Sequence, residues 1–373
     1  MKFGAFLLSQ APGESSPGDV LRAGLRQVAL AEELGFDSVW LAEHHQTSYC
    51  VVSDALTLAA YAAAATSSIR LGIAVSVLPL HHPLEIAERA TLVDILSDGR
   101  LMLGVGRGYS ATEFYTYGLD LPTRSDRFEE ALDIILKCWS EERFDYEGEF
   151  WKLRDVSLYP RPAQSPQPQV LVATAGTPET AARIAGRGLP FILGHEFLTP
   201  RKVGELIATY RQHALASGLS EAAVSVLLAD SWLSLKVHLA DTTREAKTLA
   251  GPYALWRFRK GHELQPSMSG PALMAKVRDR VPGAKALITN PENKPWAEVT
   301  AEDMAAYDLY GTPEDVTRKI DEYRVAGVRN IICSFDFGGM PEMVARRSMK
   351  LFAAEVAPAL QGTGALAAGS VKA

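Results

Sequence analysis

Cysteine is scarce in this chain, and its few thiols are scattered. Cys50, Cys138 and Cys333 are the only three among 373 residues, and no two of them have C-x-x-C spacing. An odd number of distant thiols predicts neither a disulfide framework nor a thiolate metal site. We therefore expect the protein to work in a reducing compartment, the cytoplasm.

The chain also lacks long apolar runs and a strong excess of one charge. No apolar run approaches the roughly 18 residues that a membrane-spanning helix needs. The N-terminal residues 1–8 carry one lysine and lead into a stretch rich in Pro, Gly and Ser, which is not the layout of a signal peptide. The net charge is −6, with acids and bases interspersed, so we expect neither nucleic acid nor a membrane surface as a partner. A small-molecule ligand is the default expectation.

Short apolar runs alternate with amphipathic segments along most of the chain, and 47% of the residues are hydrophobic. This alternation is typical of βα units around a parallel sheet. We predict an α/β fold, a (β/α)₈ TIM barrel with insertions, because such a barrel needs about 250 residues and leaves room for them. A doubly wound open sheet is the alternative. The predicted strands are 2–8, 37–42, 70–78, 101–105, 169–174, 190–194, 231–239 and 329–334. The predicted helices are 19–34, 53–66, 83–97, 125–142, 178–187, 200–217, 312–326 and 341–357.

Two segments interrupt the alternation, 144–168 and 251–310, and we predict that they are insertions in a single domain spanning 1–360. The first should contain a hairpin around Gly148. The second is long enough to be a mobile lid, since structureless connections above about 15 residues are usually functional or disordered. The tail, 361–373, has too little apolar surface to bury and is predicted to be disordered.

An acid and two imidazoles, Glu43-His44-His45, directly follow the second predicted strand. In a (β/α)₈ barrel the C-terminal ends of the strands form the active-site face, and imidazole exchanges protons near neutral pH. Taken alone, the three residues fit a metal site, a nucleophile triad or a simple core. Because the chain shows no HxxxE or HxH grouping, we assign no metal to them.

Two further segments have the composition of an anion site. Gly104-Val105-Gly106-Arg107-Gly108 ends the fourth strand with glycines that let a ligand approach the backbone, and its guanidinium fork suits phosphate. Ala173-Thr174-Ala175-Gly176 places small residues before a predicted helix, where free N–H groups bind anions. The alternatives are a structural arginine paired with a carboxylate and an ordinary strand-to-helix turn.

Together these motifs resemble the bacterial luciferase-like flavin monooxygenases, particularly their alkanal monooxygenase (luciferase α-subunit) branch. The resemblance covers nearly the whole chain. It implies a (β/α)₈ barrel, reduced FMN as cofactor, a separate flavin reductase that supplies it transiently, and O₂ as co-substrate. The motifs that carry it are Glu43-His44-His45, Val77-Leu78-Pro79 with His82-Pro83, Asp98-Gly99-Arg100 leading to Gly104–Gly108, Ala173–Gly176 and Gly188-Leu189-Pro190.

For the FMN phosphate, the resemblance implies binding by Arg107 and the backbone N–H of Tyr109, with Ala173, Thr174, Ala175 and Gly176 as the second half of the cup. The family often has a second phosphate-binding arginine. This chain offers Arg124 and Arg127 for that role, while the ungapped register falls on Ser125.

For the flavin ring, the resemblance implies a non-prolyl cis peptide between Ala74 and Val75, against which the ring rests. His195 follows the sixth strand, where the luciferase pattern has an aromatic residue near the flavin. His81 and His82 precede Pro83, and we expect them to cap and shape the next helix.

The implied reaction adds dioxygen at flavin C4a, giving a (hydro)peroxide that oxygenates an aldehyde, ketone or specialised metabolite. His44 would act as a base or hydrogen-bond donor, while Glu43 and His45 would orient it or hold the flavin edge. Two alternatives stay open: a deazaflavin (F420)-dependent hydride-transfer enzyme on the same barrel, and a flavin-binding protein without catalysis.

The chain departs from the luciferase pattern at two places. Gly106 stands where a luciferase variant of the motif has cysteine, and 251–310 lacks an evident match to the luciferase mobile loop. Light emission and a long-chain aldehyde substrate are therefore not implied.

The second helix is dominated by alanine and is apolar all round between Ser53 and Ala65. Such a helix must be covered on both sides. In the resembled family the second and third helices build a dimer interface, so we predict a homodimer.

Overall fold

Eight parallel strands close into a barrel in the computed structural model, which describes residues 1–194, 196–264 and 296–361. Around the barrel the eight strands follow one another in chain order, and the last pairs with the first to close the ring. The predicted (β/α)₈ fold is confirmed. The strands are β1 (Lys2–Leu7), β2 (Ser38–Leu41), β3 (Arg70–Val77), β4 (Leu101–Gly106), β5 (Phe144–Glu147), β6 (Lys152–Val156), β7 (Gln169–Thr174), β8 (Phe191–Gly194), β9 (Trp232–Leu239), β10 (Leu309–Gly311) and β11 (Asn330–Asp336).

Helices follow the strands and surround the barrel. Most of them begin after a hydroxyl or carboxylate side chain that caps the first turn; Thr312, for example, accepts the backbone N–H of Asp315 at 3.3 Å. The helices are α1 (Pro17–Glu33), α2 (Ala55–Ala65), α3 (Pro83–Leu96), α4 (Ala111–Thr116), α5 (Arg124–Ser140), α6 (Pro178–Gly186), α7 (Pro200–Ala216), α8 (Glu221–Ala229), α9 (Thr243–Glu263), α10 (Ala301–Tyr307), α11 (Pro313–Val325), α12 (Glu342–Leu351) and α13 (Ala357–Gln361), with a π-helical turn over Phe352–Val356.

The two predicted insertions have different structures. The first contains the expected hairpin, in which β5 and β6 pair antiparallel. The second begins inside α9, which continues through Pro252 to Glu263. Sequence reasoning predicted no helix here, and an internal proline such as Pro252 usually breaks one. The predicted lid falls largely on 265–295 and the predicted tail on 362–373, both outside the described residues.

The barrel interior is filled around Trp40, which is fully buried. Its indole N–H donates to Ser38 Oγ at 2.8 Å, and its ring meets that of Trp232 edge-on at 5.1 Å. A Cβ atom at Gly72 would lie 2.3 Å from two ring carbons of Trp40. Glycine at position 72 therefore gives the indole its space in the core.

A cavity opens above this layer. Phe6, Ile192 and Ile332 belong to the same apolar cluster as Trp40 and also line the cavity. Within the described residues no helix is long and apolar enough to span a bilayer.

Gly72→Ala should destabilise the fold, since the new methyl group overlaps a fully buried indole that has no free volume into which to move. We expect a loss of about 2–3 kcal/mol in the free energy of unfolding, measured by urea denaturation. Gly186→Ala on α6 is the matched control, because a Cβ there meets nothing within 4 Å. Equal stability of the two variants would contradict this account of the core.

Candidate active site

A cavity of about 580 Å³ lies at the C-terminal ends of the barrel strands. It is the size of a small-molecule site. The structure brings together there most of the residues that the sequence singled out. Those lining the cavity are Glu43, His44, Ala74, Val75, Arg107, Tyr109, Arg124, Ala173, Thr174 and Ala175. His45 and Gly176 are not among the lining residues, and His195 lies outside the described residues.

The Glu43 carboxylate joins three donors at the cavity wall. Its Oε1 accepts from His81 Nε2 at 2.7 Å, from Val77 N–H at 3.2 Å and from His45 Nε2 at 3.3 Å. Burial alone would raise the pKa of Glu43, but these hydrogen bonds outweigh it and lower the pKa to about 2. Glu43 is therefore a fixed negative charge that ties the end of β2 to the end of β3.

His45 is engaged at both ring nitrogens. While Nε2 contacts Glu43, Nδ1 lies 2.9 Å from the hydroxyl of Tyr117. Burial works to lower the pKa of His45, but the Glu43 carboxylate raises it. The ring thus packs behind the cavity wall, in a position suited to holding Glu43 in place.

His44 reaches the cavity and is oriented from behind by Glu113. Its Nδ1 lies 2.9 Å from Glu113 Oε1, the same oxygen that accepts the backbone N–H of His45 at 3.0 Å. The rings of Tyr49 and Tyr109 meet the imidazole edge-on at 5.1 and 5.8 Å. With Nδ1 bound to the carboxylate, Nε2 is the nitrogen that can serve a ligand.

Sequence reasoning missed Glu113 and the role of His81. Glu113 lies on α4, a short helix capped by Ser110, and the Ser-x-x-Glu spacing was the available signal. His82 does cap α3, as expected, by accepting the N–H of Leu84 at 3.3 Å. His81 instead turns inward and hydrogen-bonds to Glu43. The two residues are 38 positions apart in the chain, and no local sequence pattern predicts their contact.

Positive charge gathers at one end of the cavity. Arg107 donates to Thr180 Oγ1 at 3.2 Å and to Ser125 Oγ at 3.4 Å. Burial, together with the neighbouring Arg183 and Arg124, lowers the pKa of Arg107 to about 10. A half-buried guanidinium beside other cations is stabilised by a bound anion, so this end fits a phosphate.

The two candidates for the second arginine point to different places. Arg124 lines the cavity, whereas Arg127 stacks its guanidinium over the Phe150 ring at 4.4 Å, on the hairpin of the first insertion. Ser125, on which the ungapped register of the family falls, also lies here, and its Oγ accepts a hydrogen bond from Arg107. Arg124 is therefore the residue placed to share an anion with Arg107.

The turn from β7 to α6 forms the facing wall. Thr174 Oγ1 accepts the backbone N–H of Gly176 at 3.0 Å, and Thr177 caps α6 by accepting the N–H of Thr180 at 3.3 Å. The N–H of Gly176 is thus used within the turn, contrary to its expected role as a free anion donor. Hydroxyl groups take a larger part in this wall than the sequence indicated.

Residues of β3 and β4, including Ala74, Val75 and Gly106, form another part of the cavity wall. The peptide bond between Ala74 and Val75 is cis, as the family resemblance implied. A Cβ atom at Gly106 would lie 2.6 Å from Val75 Cγ2. Glycine at position 106, where cysteine occurs in the luciferase variant, therefore fits the close approach of these strands.

A second group of charges lies on cavity walls formed by β9, α9 and the residue before β10, and the sequence did not reveal it. Lys236 Nζ contacts Glu196 Oε2 and lies 3.1 Å from Asp308 Oδ1. Burial raises the pKa of Asp308 to about 6. Arg257 enters from α9 and also faces the cavity.

The family model described as luciferase-like monooxygenase matches residues 1–330. Among curated relatives, an uncharacterised protein from Sinorhizobium fredii is 37% identical over 50% of this chain and 54% of its own length. The 4-hydroxyprotoasukamycin monooxygenase of Streptomyces nodosus is 32% identical over 66% of each chain. For these two, the match spans less than two thirds of the relative. The alkanal monooxygenase alpha chain of Photorhabdus luminescens is 28% identical over 97% of both.

Solved structures show the same architecture. Monooxygenase RslO1 from Streptomyces bottropensis superposes with a TM-score of 0.80, 29% identity and coverage of 96% of this chain and 100% of that one. The oxygenating constituent of 3,6-diketocamphane monooxygenase from Pseudomonas putida, in complex with FMN, gives 0.76 at 20% identity, covering 96% and 98%. An F420-dependent secondary alcohol dehydrogenase gives 0.70 at 18% identity, also covering 96% and 98%. The chain belongs to the luciferase-like monooxygenase family and is an oxidoreductase.

Proposed function

We propose that the protein is a monooxygenase that uses reduced FMN and O₂ to oxygenate an organic substrate. The observation that carries this proposal is the half-buried positive end of the cavity, where Arg107 and Arg124 line the wall and Arg107 donates to the hydroxyl groups of Thr180 and Ser125. A phosphate needs such a set of donors. Ala74, Val75 and Gly106 line the same cavity and give a planar ring a surface to rest on.

The phosphate end favours FMN over F420. The FMN phosphate is a monoester that carries close to two negative charges near neutral pH, which suits two half-buried arginines. F420 carries its phosphate as a diester with one charge, extended by an acidic side chain. F420-dependent hydride transfer is the competing function.

Reduced FMN would supply the two electrons that turn dioxygen into an oxygen donor. The protein supplies orientation and proton control. Glu113 holds Nδ1 of His44, so that Nε2 can hold or donate a proton inside the cavity. Nearby apolar groups, including Phe6, Ile192 and Phe258, line the same space and exclude water.

Removing the Arg107 charge should weaken cofactor binding. Arg107→Met is expected to lower FMN affinity about tenfold to a hundredfold, since charged hydrogen bonds contribute about 1.5–3 kcal/mol. Flavin fluorescence titration measures the effect. Arg127→Met is the matched control, because Arg127 stacks on the hairpin instead, and its FMN affinity should equal that of the wild type.

Parallel titration with F420 separates the two cofactors. FMN binding that depends on Arg107, with weak F420 binding, supports the proposal. Tight binding of F420 and none of FMN would overturn it in favour of hydride transfer.

His44→Ala should keep FMN binding but lose proton control. With reduced FMN bound, mixing with oxygen is expected to release hydrogen peroxide at least about tenfold faster than in the wild type, in line with the contribution of a positioned acid or base. Peroxide release and flavin reoxidation are followed by stopped-flow absorbance. His213→Gln, at an exposed site on α7, is the control. Identical release rates for His44→Ala and the wild type would remove His44 from the chemistry.

The protein would depend on another enzyme for reduced FMN, and we propose a transient encounter with a flavin reductase. The free, buried thiols of Cys50, Cys138 and Cys333 suit a reducing environment, which supports our expectation of a cytoplasmic protein.

A homodimer is the proposed assembly. The surface of α2 and α3 exposes Tyr61 by 61%, Leu92 by 49% and Leu96 by 65%. Large apolar side chains grouped on two packed helices indicate a covered surface. In this proposed interface, the small alanine side chains of α2 would let the two protomers approach each other closely.

Light scattering should give twice the chain mass of 40.5 kDa. The double variant Tyr61→Glu, Leu96→Glu should shift the protein to monomers, because two charges would be buried without partners. Val325→Glu, which changes an exposed apolar residue on α11, should leave the dimer intact. A wild-type monomer at micromolar concentration would contradict the proposal.

A further inference from the structure

The cavity carries a second charged region whose role the proposed cofactor site leaves open. It is formed by Lys236, Glu196, Asp308 and Arg257, all of which line the cavity. None of these residues contacts the Arg107 region through a hydrogen bond or ion pair given for the described part of the chain. We call this group the distal charge cluster.

Within the distal charge cluster, Lys236 is already neutralised. It contacts Glu196 and lies 3.1 Å from Asp308, and its side chain is only 5% exposed. Burial would lower the pKa of Lys236, but the two carboxylates outweigh it and raise the pKa. Asp308 is held in turn by the Tyr310 hydroxyl, which donates to its Oδ2 at 2.8 Å. Lys236 therefore has little charge to offer a ligand.

Arg257 is paired with its carboxylate at longer range than Lys236 is. Its Nε lies 3.9 Å from Glu196 Oε1, beyond hydrogen-bond range, and in the described part of the chain that buried Nε has no hydrogen-bond partner. One terminal nitrogen donates to Ser334 Oγ at 3.0 Å, a neutral acceptor. A guanidinium that lines a cavity and donates to a neutral hydroxyl is stabilised when an anionic oxygen binds to it from the cavity.

Arg257 is also close to the residue proposed for proton control. Burial raises the pKa of Tyr49 while the nearby Arg257 charge works to lower it, and the Tyr49 ring packs edge-on against His44 at 5.1 Å. Gly261, one turn further along α9, would place a Cβ only 3.0 Å from the Tyr49 ring. Glycine at this position lets α9 approach Tyr49 closely, which brings Arg257 to the same side of the cavity as His44.

We propose that the organic substrate carries an oxyanion, as a phenolate, enolate or carboxylate, which Arg257 binds beside His44. This inference rests on the proposed function, since it names the substrate of that same site. A neutral alkanal would offer Arg257 no anionic oxygen, whereas a substrate oxyanion would make a charged hydrogen bond with the guanidinium. The distal charge cluster thus selects acidic substrates over simple aldehydes.

The test compares anions with neutral molecules of nearly the same shape, by calorimetric titration of the FMN-loaded protein. The pairs are 4-nitrophenolate with 4-nitroanisole, and benzoate with benzamide. Bound FMN keeps the probes away from Arg107. The wild type should prefer the anion of at least one pair about tenfold or more, the range of a charged hydrogen bond. The pair that shows the preference identifies the kind of oxyanion.

Arg257→Met should abolish that preference, and Arg257→Lys should retain part of it, because lysine keeps the charge but not the planar fork. Arg259→Met is the matched control on an exposed position of α9 and should behave like the wild type. Thermal unfolding of each variant verifies that it folds. No anion preference in the wild type, or the same preference in folded Arg257→Met, would overturn the inference.

FMN affinity, measured on the same samples, separates this inference from the proposed function. Arg257→Met should bind FMN as tightly as the wild type, since Arg257 lies away from the phosphate end. If the wild type failed to bind FMN, the proposed function would fail. The probe titration would then be repeated on the unloaded protein in phosphate buffer, which occupies Arg107, and an Arg257-dependent preference there would uphold oxyanion binding by itself.

Discussion

The buried carboxylate of Glu43 is the interaction on which the geometry of the site depends. It joins the end of β2 to the end of β3 through Val77 N–H and His81, and it holds His45 from the same oxygen. A buried charge is tolerated only when its hydrogen bonds are made, so the three donors and the carboxylate hold one another in place. Glu113 makes a similar set of contacts: its Oε1 accepts the backbone N–H of His45 and lies 2.9 Å from His44 Nδ1. The carboxylates of Glu43 and Glu113 thus position the His44 imidazole, which faces the cavity.

The cavity divides into regions of different chemistry. Arg107 and Arg124 provide positive charge at one end, Ala74, Val75 and Gly106 form an apolar part of the wall, and the Arg257 guanidinium lines another part. Each region fits one part of the proposed reaction: a phosphate, a planar ring and an acidic substrate. The apolar layer around Trp40 closes the barrel below the cavity. Because that layer is packed without space for even one more methyl group at Gly72, the floor of the site is rigid.

The sequence was informative where the signal is local. All eight predicted barrel strands are present, because each was a short apolar run with a clear turn or helix beside it. The arginine in Gly106-Arg107-Gly108 and the residues 173–175 also line the cavity as expected. Local reasoning failed for α9, where Pro252 lies inside a helix that tertiary packing maintains, and for Gly176, whose N–H serves its own turn.

By itself, then, the sequence determined the barrel, the order of its strands along the chain and the placement of Glu43-His44-His45 at the C-terminal end of β2, since periodicity and strand ends are properties of neighbouring residues. Only the tertiary structure decided that His81 and Glu113 complete the histidine site, that Arg124 and not Arg127 joins Arg107, and that Lys236, Glu196, Asp308 and Arg257 meet in one cluster. These partners are separated by tens of residues along the chain, and closure of the barrel brings them within hydrogen-bond or ion-pair distance. Pairings of that kind depend on which strand ends become neighbours, and no local sequence pattern records that.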